Sequence, residues 1–467
     1  MGTPDFDGRG ERRRVKAAAT LVTLYGWVWW MHHSLLGAKF ALALTIVFGV
    51  HALRLVMAAL RPPVRSPLTS LPTSLPTSLP TPLSTSPPTT LSSASPLVAA
   101  SLPPVSLVAA AKNEEAVIGR LVECLCQLEY GGPLEVWIVD DHSSDRTPQI
   151  LEKYRQVYPQ LKVLRRGPEA QGGKSGALNQ VLPLTTGEVI GVFDADALVD
   201  RDFLSQVLAH FQDEEVGAVQ LRKAIANHAA NFWTKGQAAE MALDMWFQEQ
   251  RVRVGGIGEL RGNGQFVRRS ALLACGGWNE QTITDDLDLT LRLHLQGWDI
   301  ACVFFPAVQE EGVVTVQQLW HQRNRWAEGG YQRYLDYWRL ILQNRAGIAK
   351  TFDLACFAIV QYGLPAVVVP DLAIAALLGK GPVLTPLVGL SFVLSTLGMF
   401  CGVRRAYGVS PWVAVGQTLR GTVYMLHWLP TIATMTVRVS LRPKRLKWVK
   451  TVHQGGGTAL ALEEEEE

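Results

Sequence analysis

Asp194 and Asp196 stand one residue apart at the end of an apolar run, Val189-Ile190-Gly191-Val192-Phe193. Carboxylates there pack poorly, but they are good ligands for a hard divalent cation such as Mg²⁺ or Mn²⁺, which takes oxygen donors and is readily shared with phosphates. The chemistry they suggest is metal-dependent turnover of a nucleotide-activated substrate. Asp-x-Asp after a strand is also a common loop or helix cap, so the pair gains weight only from its company. Asp140-Asp141-His142-Ser143 ends a second apolar run, and Gly172-Gly173-Lys174 is a glycine loop whose lysine would meet a phosphate as a compact charge. Thr284-Asp285-Asp286-Leu287-Asp288 opens a periodic stretch at 287–295. Asp286 is the candidate general base, although the same residues make a good N-cap with an acidic first turn. In Gln322-Arg323-Asn324-Arg325-Trp326, Arg325 suits a diphosphate and Trp326 suits a stacking wall.

These residues need a scaffold, and the chain alternates strands with helices from 105 onward. Apolar strands are predicted at 105–110, 134–139, 162–165 and 188–193. Helices are predicted from Asn113-Glu114-Glu115, at 144–158 and at 175–184. Alternation of this kind predicts an α/β domain with a mostly parallel sheet, whose ligands collect at the carboxyl ends of the strands. Both Asp140-Asp141 and Asp194–Asp196 fall there. The stretch 233–250, with Glu240, Asp244 and Trp246, is a candidate for approaching an acceptor.

The flanks are apolar. Stretches at 17–36 and 40–60 are each near the ~20 residues that cross a bilayer and predict a hairpin over 1–61. Arg12-Arg13-Arg14-Val15-Lys16 before it and Arg61 and Arg65 after it place both ends in the cytosol by the positive-inside rule. Residues 62–104 repeat Ser-Leu-Pro-Thr and read as an extended spacer. The α/β domain is expected over 105–345, ending in a helix near 316–340 whose arginines and aromatics suit lipid headgroups. Three apolar stretches follow within 346–440, at 351–378, 384–401 and 412–436; the first carries Pro365, Pro370 and Asp371 and is read as kinked, re-entrant or interfacial. A catalytic domain and a tail on one side require an even number of crossings, so one of the three must not cross. Over 441–467 a basic, Trp-bearing segment suits an anionic leaflet, and an acidic tail ends the chain.

Composition narrows the class. The chain has 467 residues, 48% of them hydrophobic, with mean hydropathy +0.12. A net charge of +3 gives no field for nucleic acid. The six cysteines have neither a disulfide nor a zinc spacing, and His142, His228, His294 and His321 show no metal-ligand spacing.

The ordered motifs resemble the membrane-bound inverting family 2 glycosyltransferases with a GT-A fold. The likeness covers roughly 105–340. It rests on Ala110-Ala111-Lys112-Asn113-Glu114, Asp140-Asp141, Gly173-Lys174-Ser175-Gly176-Ala177-Leu178-Asn179, Asp194-Ala195-Asp196, Gly262-Asn263-Gly264, Thr284-Asp285-Asp286 and Gln322-x-x-Arg325-Trp326. Through Gln361-Tyr362-Gly363-Leu364-Pro365 and the basic tail it is most similar to cyanobacterial members that glucosylate diacylglycerol. The resemblance implies a Rossmann-like cytosolic domain flanked by transmembrane helices, in a plasma or thylakoid membrane. It implies UDP-glucose as donor, 1,2-diacylglycerol as acceptor and a β-linked product. Ala111, Glu114, Asp140, Asp141, Lys174, Asp194, Gln322 and Arg325 would hold the donor, and Asp194 and Asp196 the Mg²⁺ or Mn²⁺. Asp286, Arg325 and Trp326 would be catalytic. Asp285 stands where many relatives carry Glu. The competing expectation is a processive β-glucan synthase, since Gln-x-x-Arg-Trp also marks such polymerases; four or five spans make a poor channel for a polymer.

Overall fold

The computed structural model describes residues 12–61 and 102–441. The repeat-bearing spacer at 62–101, the basic segment from Arg442 and the acidic tail lie outside the described residues.

Seven strands form one sheet: β1 (Val105–Ala111), β2 (Leu134–Asp140), β3 (Leu161–Arg165), β4 (Val189–Phe193), β5 (Val216–Ile225), β6 (Gln265–Arg268) and β7 (Asp299–Glu310). Their order is β3-β2-β1-β4-β6-β5-β7. The first four are parallel, β6 runs antiparallel to both neighbours, and β7 is parallel to β5. The predicted mostly parallel α/β sheet is present. Leu107 and Val108 of β1 are both buried, as expected for a strand covered on both faces. Around the sheet lie α3 (Ile118–Cys126), α4 (Thr147–Val157), α5 (Gly173–Val181), α6 (Phe203–Leu208), α7 (Phe232–Arg253), α8 (Arg269–Ala274) and α9 (Asp285–Leu295). Register aligns the active edge: Ala111 pairs with Asp140 and Ala109 with Phe193, so the acidic residues after β2 and β4 emerge at the same end of the sheet.

Asn113-Glu114-Glu115 does not open a helix; α3 begins at Ile118. The backbone N–H groups of these residues are taken by Ser143 (2.8 Å), Thr147 (2.8 Å) and Asp145 (3.1 Å). Side chains from the turn after β2 hold the turn after β1, and Asn113 adopts a left-handed φ of 55°.

Two helices precede the sheet, α1 (Arg13–His33) and α2 (Leu35–Leu60). After it come α10 (Val316–Leu342), α11 (Ile348–Ala358), a π turn (Ile359–Gly363), α12 (Leu364–Leu378), α13 (Thr385–Tyr407), α14 (Pro411–Met425) and α15 (Trp428–Leu441). Among the described residues, three segments are long and apolar enough to cross a membrane: α2, the run Ile348–Leu378 and α13. The stretch predicted at 412–436 breaks at Leu426 and His427. Its pieces, 15 and 14 residues long, reach only about 22 Å at 1.5 Å per residue, short of a ~30 Å core. Among the described residues this leaves two C-terminal stretches long and apolar enough to cross, an even number. α1 is not among the three, although it returns beside α2 as a hairpin.

Each candidate span meets the catalytic domain at one end. Arg253 donates to the Ala58 carbonyl at 3.2 Å, and Arg405 at the end of α13 pairs with Glu249 of α7. At the other end His32 meets Asp371 at 2.7 Å, and Asp371 accepts the N–H groups of Val383 (3.1 Å) and Leu384 (3.2 Å). Asp371 therefore closes the turn before α13 instead of facing lipid. The expected kink is a π turn: Pro365 has no N–H for the carbonyl of Gln361, and the helix widens there.

The helix at 316–340 divides its arginines and aromatics: Trp320, Trp338 and Arg339 are exposed, and others are not. Arg323, Arg333, Tyr331 and Tyr337 of α10 are buried, and α10 is wedged between the sheet domain and the spans. Arg13, from the basic run before the hairpin, is buried in an ion pair with Asp336 of α10. Beneath α10, Glu259 is fully buried among Arg261 (2.5 Å), Arg333 (3.2 Å) and Arg251 (3.5 Å), and Arg251 also pairs with Asp353 of α11 at 2.9 Å. Glu259→Gln keeps the shape but takes the carboxylate partner from Arg333, while Arg251 keeps Asp353 and Arg261 keeps Asp244; breaking such a buried pair costs about 3–5 kcal/mol. Chemical unfolding in detergent is expected to show a loss of that size; a change below about 1 kcal/mol would contradict the central place given to this carboxylate.

Candidate active site

A cavity of about 800 Å³ opens at the carboxyl edge of the sheet. Ala111, Glu114, Asp141, Lys174, Asp194, Asp196, Asp286, Gln322, Arg325 and Trp326 all line it; Asp140 does not. Asp140 is buried beneath, accepting the Ser143 N–H at 3.0 Å and facing Arg165 at 3.3 Å, so it shapes the turn. Asp141 faces the cavity and pairs with Arg166 at 2.7 Å.

The glycine loop brings the α5 N-terminus to the cavity wall. Gly172 and Gly173 have φ of +80° and +54°, a backbone that residues with a Cβ rarely adopt. A helix start presents free N–H groups and partial positive charge, which suits a phosphate. Lys174 stands one residue in, its Nζ 2.5 Å from Asp194. Burial opposes its charge, but Asp194, Asp285 and Asp286 outweigh this and raise its pKa. For Asp194, burial alone would raise the pKa, yet Lys174 carries the balance and lowers it. The Asp194 side chain is 42% exposed, and that exposure is to the cavity.

Asp196 differs sharply. Burial, then Glu310 and Asp194, push its pKa up to about 8, against the Glu311 N–H that donates to it at 2.7 Å. Without a counter-cation this carboxylate is held in an unfavourable place, and a divalent metal would relieve it. Among the described residues no three His, Cys, Asp or Glu side chains form a closed metal site. Such a donor set fits a cation that keeps waters and shares phosphate oxygens.

Asp286 sits in the first turn of α9, its Oδ1 accepting the Leu287 N–H at 2.8 Å. Burial, then neighbouring Asp285, raise its pKa to about 6. It is thus ionised but basic near neutrality, as a general base requires. Gly262, φ +84°, lies against it: a Cβ there would sit 3.3 Å from Asp286 Oδ2. On the facing helix, burial lowers the Arg325 pKa, and Asp194, Asp286 and Asp285 partly restore it. Trp326 is sandwiched by cations, with Arg323 4.0 Å and Lys223 4.6 Å from its ring.

Gly329 and Gly330 explain how α10 comes so near. A Cβ on Gly329 would strike the Thr284 side chain, and one on Gly330 would strike the Tyr362 ring. Gly329→Val is expected to push the α9 N-terminus away and lower kcat by about 10²-fold, the scale of an ångström's misplacement. UDP affinity, measured by calorimetry, is expected to hold; an unchanged kcat would refute the coupling of α10 to Asp286.

Several lining residues were not evident from sequence. Glu310 ends β7 and Glu311 follows it, another acidic pair at a strand's carboxyl end, missed because no strand was predicted after 193. Lys223 pairs with Glu310 at 3.1 Å, and Arg261 with Asp244 at 2.8 Å. Of the acceptor candidates in 233–250, Glu240 and Asp244 line the cavity, whereas Trp246 packs on Met245 and Phe304.

Comparison with known proteins agrees with this geometry. The model of the family described as "Glycosyltransferase like family 2" matches residues 103–329. The chain is 55% identical over 456 residues to a beta-monoglucosyldiacylglycerol synthase of Trichormus variabilis, covering 96% of this chain and 91% of that protein. It is 52% identical to the Synechocystis protein of the same name, over 98% and 92% of the two chains. Among solved structures, the mannosyltransferase PcManGT of Pyrobaculum calidifontis, in complex with GDP-Man and Mn²⁺, superposes with a TM-score of 0.53 over 91% of this chain and 99% of its own. At 18% identity it shares the GT-A fold. The chain belongs to glycosyltransferase family 2, in the family of the cyanobacterial beta-monoglucosyldiacylglycerol synthases.

Proposed function

We propose that this protein transfers glucose from UDP-glucose to the free hydroxyl of 1,2-diacylglycerol with inversion, giving β-monoglucosyldiacylglycerol. One observation carries the reading: the cavity that holds the carboxylates, Lys174 and Arg325 is also walled by residues of membrane-length helices. A water-soluble acceptor would leave that wall without a purpose.

Each residue then has a task. Asp141, at the cavity, accepts the uracil N–H, with Ala111 and Glu114 beside it. Lys174, the α5 N-terminus and Arg325 hold the diphosphate, and Gln322 lies next to them. Asp194 and Asp196 would hold Mg²⁺ or Mn²⁺, which when bound neutralises charge on the departing diphosphate. Asp286 takes the acceptor's hydroxyl proton as that oxygen bonds to the anomeric carbon. The bond from that carbon to the diphosphate breaks on the opposite face, UDP leaves with the electron pair, and the α-linked donor becomes a β-linked product. Trp326, fixed between Arg323 and Lys223, walls the sugar. The catalytic domain faces the cytosol, where UDP-sugars are made, and both ends of the bundle's domain-facing side stay there.

Purified enzyme with labelled UDP-glucose or UDP-galactose and diacylglycerol tests this. A chloroform-soluble product formed preferentially from UDP-glucose is expected. Insoluble polymer, or a preference for UDP-galactose, would sink the assignment.

A further inference from the structure

The second half of the cavity runs between the candidate spans. α2 presents two faces. Val47, Val50 and Leu53 are 44%, 57% and 59% exposed on the outside, whereas Phe48, Ala52 and Leu55 are buried and line the cavity. α13 repeats the pattern: Phe392 and Val393 are 54% and 62% exposed, while Leu390, Ser391, Leu394 and Ser395 line the cavity. Opposite them stand Val360 and Gln361 of the π turn and Trp428 of α15. At the far end Leu384, just before α13, and Leu387 of α13 pack with Leu364 and Val367 of α12 and close the bundle.

Apolar walls inside the spans carry a few polar groups. Ser391 and Ser395 are one helical turn apart and face the same space. His51 turns Nε2 toward Asp353 at 3.3 Å, and its buried Nδ1 has no hydrogen-bond partner. Polar side chains at membrane depth are costly and mark function when they face a cavity. A mostly apolar pocket with sparse convergent polar groups suits an amphiphile.

We propose that this half of the cavity is the acyl-chain slot of a glycerolipid acceptor. The chains lie against Phe48, Ala52, Leu55, Leu390 and Leu394. The ester region meets Ser391, Ser395 and His51, and the free hydroxyl extends to Asp286. The proposal rests on the acceptor reading above and adds where the lipid sits.

Ser395→Trp fills the slot, and Val393→Trp puts the same bulk on the outer face of the same helix. With full-length protein in nanodiscs and dioleoylglycerol, Ser395→Trp is expected to raise the acceptor KM about tenfold or more, the scale of overpacking a site, with the UDP-glucose KM unchanged. Val393→Trp is expected to stay within about twofold of the parent enzyme. Equal effects of the two would overturn the slot. Wild-type protein supplies a check that needs no variant to fold: dioleoylglycerol carrying a mid-chain diazirine is expected to label peptides 48–55 and 390–395 at their cavity-facing residues. Labelling confined to Val47, Val50, Leu53, Phe392 and Val393 would overturn it as well. Failure of the acceptor reading shows itself separately, as wild-type enzyme that makes polymer and no lipid product, and the slot falls with it.

Discussion

Asp286→Asn is expected to lower kcat by about 10²–10⁴-fold, the contribution of a positioned proton transfer, while UDP affinity stays near that of the parent enzyme. Asn keeps the size of the side chain and still accepts the Leu287 N–H through its oxygen, so the start of α9 is preserved. What is lost is the ability to take a proton. The pH profile follows from the same residue. Its pKa is raised to about 6, so the ionised base predominates above that value and is lost below it. In the parent enzyme kcat/KM is expected to fall as pH drops through about 6, and in Asp286→Asn this acid limb is expected to disappear. A variant with parental kcat, or with the same acid limb, would remove Asp286 from the chemistry.

Asp196→Asn is the second large effect. Burial beside Glu310 and Asp194 makes this carboxylate the one most in need of a cation. Several kcal/mol of charge stabilisation are at stake, so transfer is expected to fall by about 10²-fold or more. The Mn²⁺ concentration needed for half-maximal rate is expected to rise in parallel. Asp194→Asn differs, because it also frees Lys174 from its 2.5 Å partner and disturbs the phosphate end. Chelation of divalent cations is expected to stop the parent enzyme, with recovery on adding Mn²⁺ back. Parental metal dependence in Asp196→Asn would refute its role as a ligand.

The first four strands of the sheet were legible because their physics is local, whereas β5, β6 and β7 were not read. Apolar runs ended by carboxylates gave the strands, their direction and the edge where the charged residues gather. The membrane half was legible only in outline. Hydropathy marks apolar stretches but not where a helix breaks, so 412–436 read as one unbroken apolar stretch although Leu426 and His427 divide it. The ion pairs of the α10 arginines were hidden for a related reason. Their partners Glu240 and Glu259 lie 83 and 74 residues away in sequence, and without them a row of Arg and Tyr looks like a surface. Gly329 and Gly330 carry no chemistry of their own, and their purpose appears only when Thr284 and Tyr362 are seen against them. Asp140 and Asp141 were equal candidates in sequence; the turn buries one and presents the other.

The most direct test joins acceptor, donor and stereochemistry in one product. The full-length protein in nanodiscs is incubated with UDP-glucose, Mg²⁺ or Mn²⁺ and dioleoylglycerol, and the chloroform-soluble product is examined by proton NMR at its anomeric position. A glucosyl-diacylglycerol in the β configuration is expected. An α-linked glucolipid, or glucose found only in insoluble polymer, would contradict single-displacement transfer to a lipid hydroxyl by Asp286.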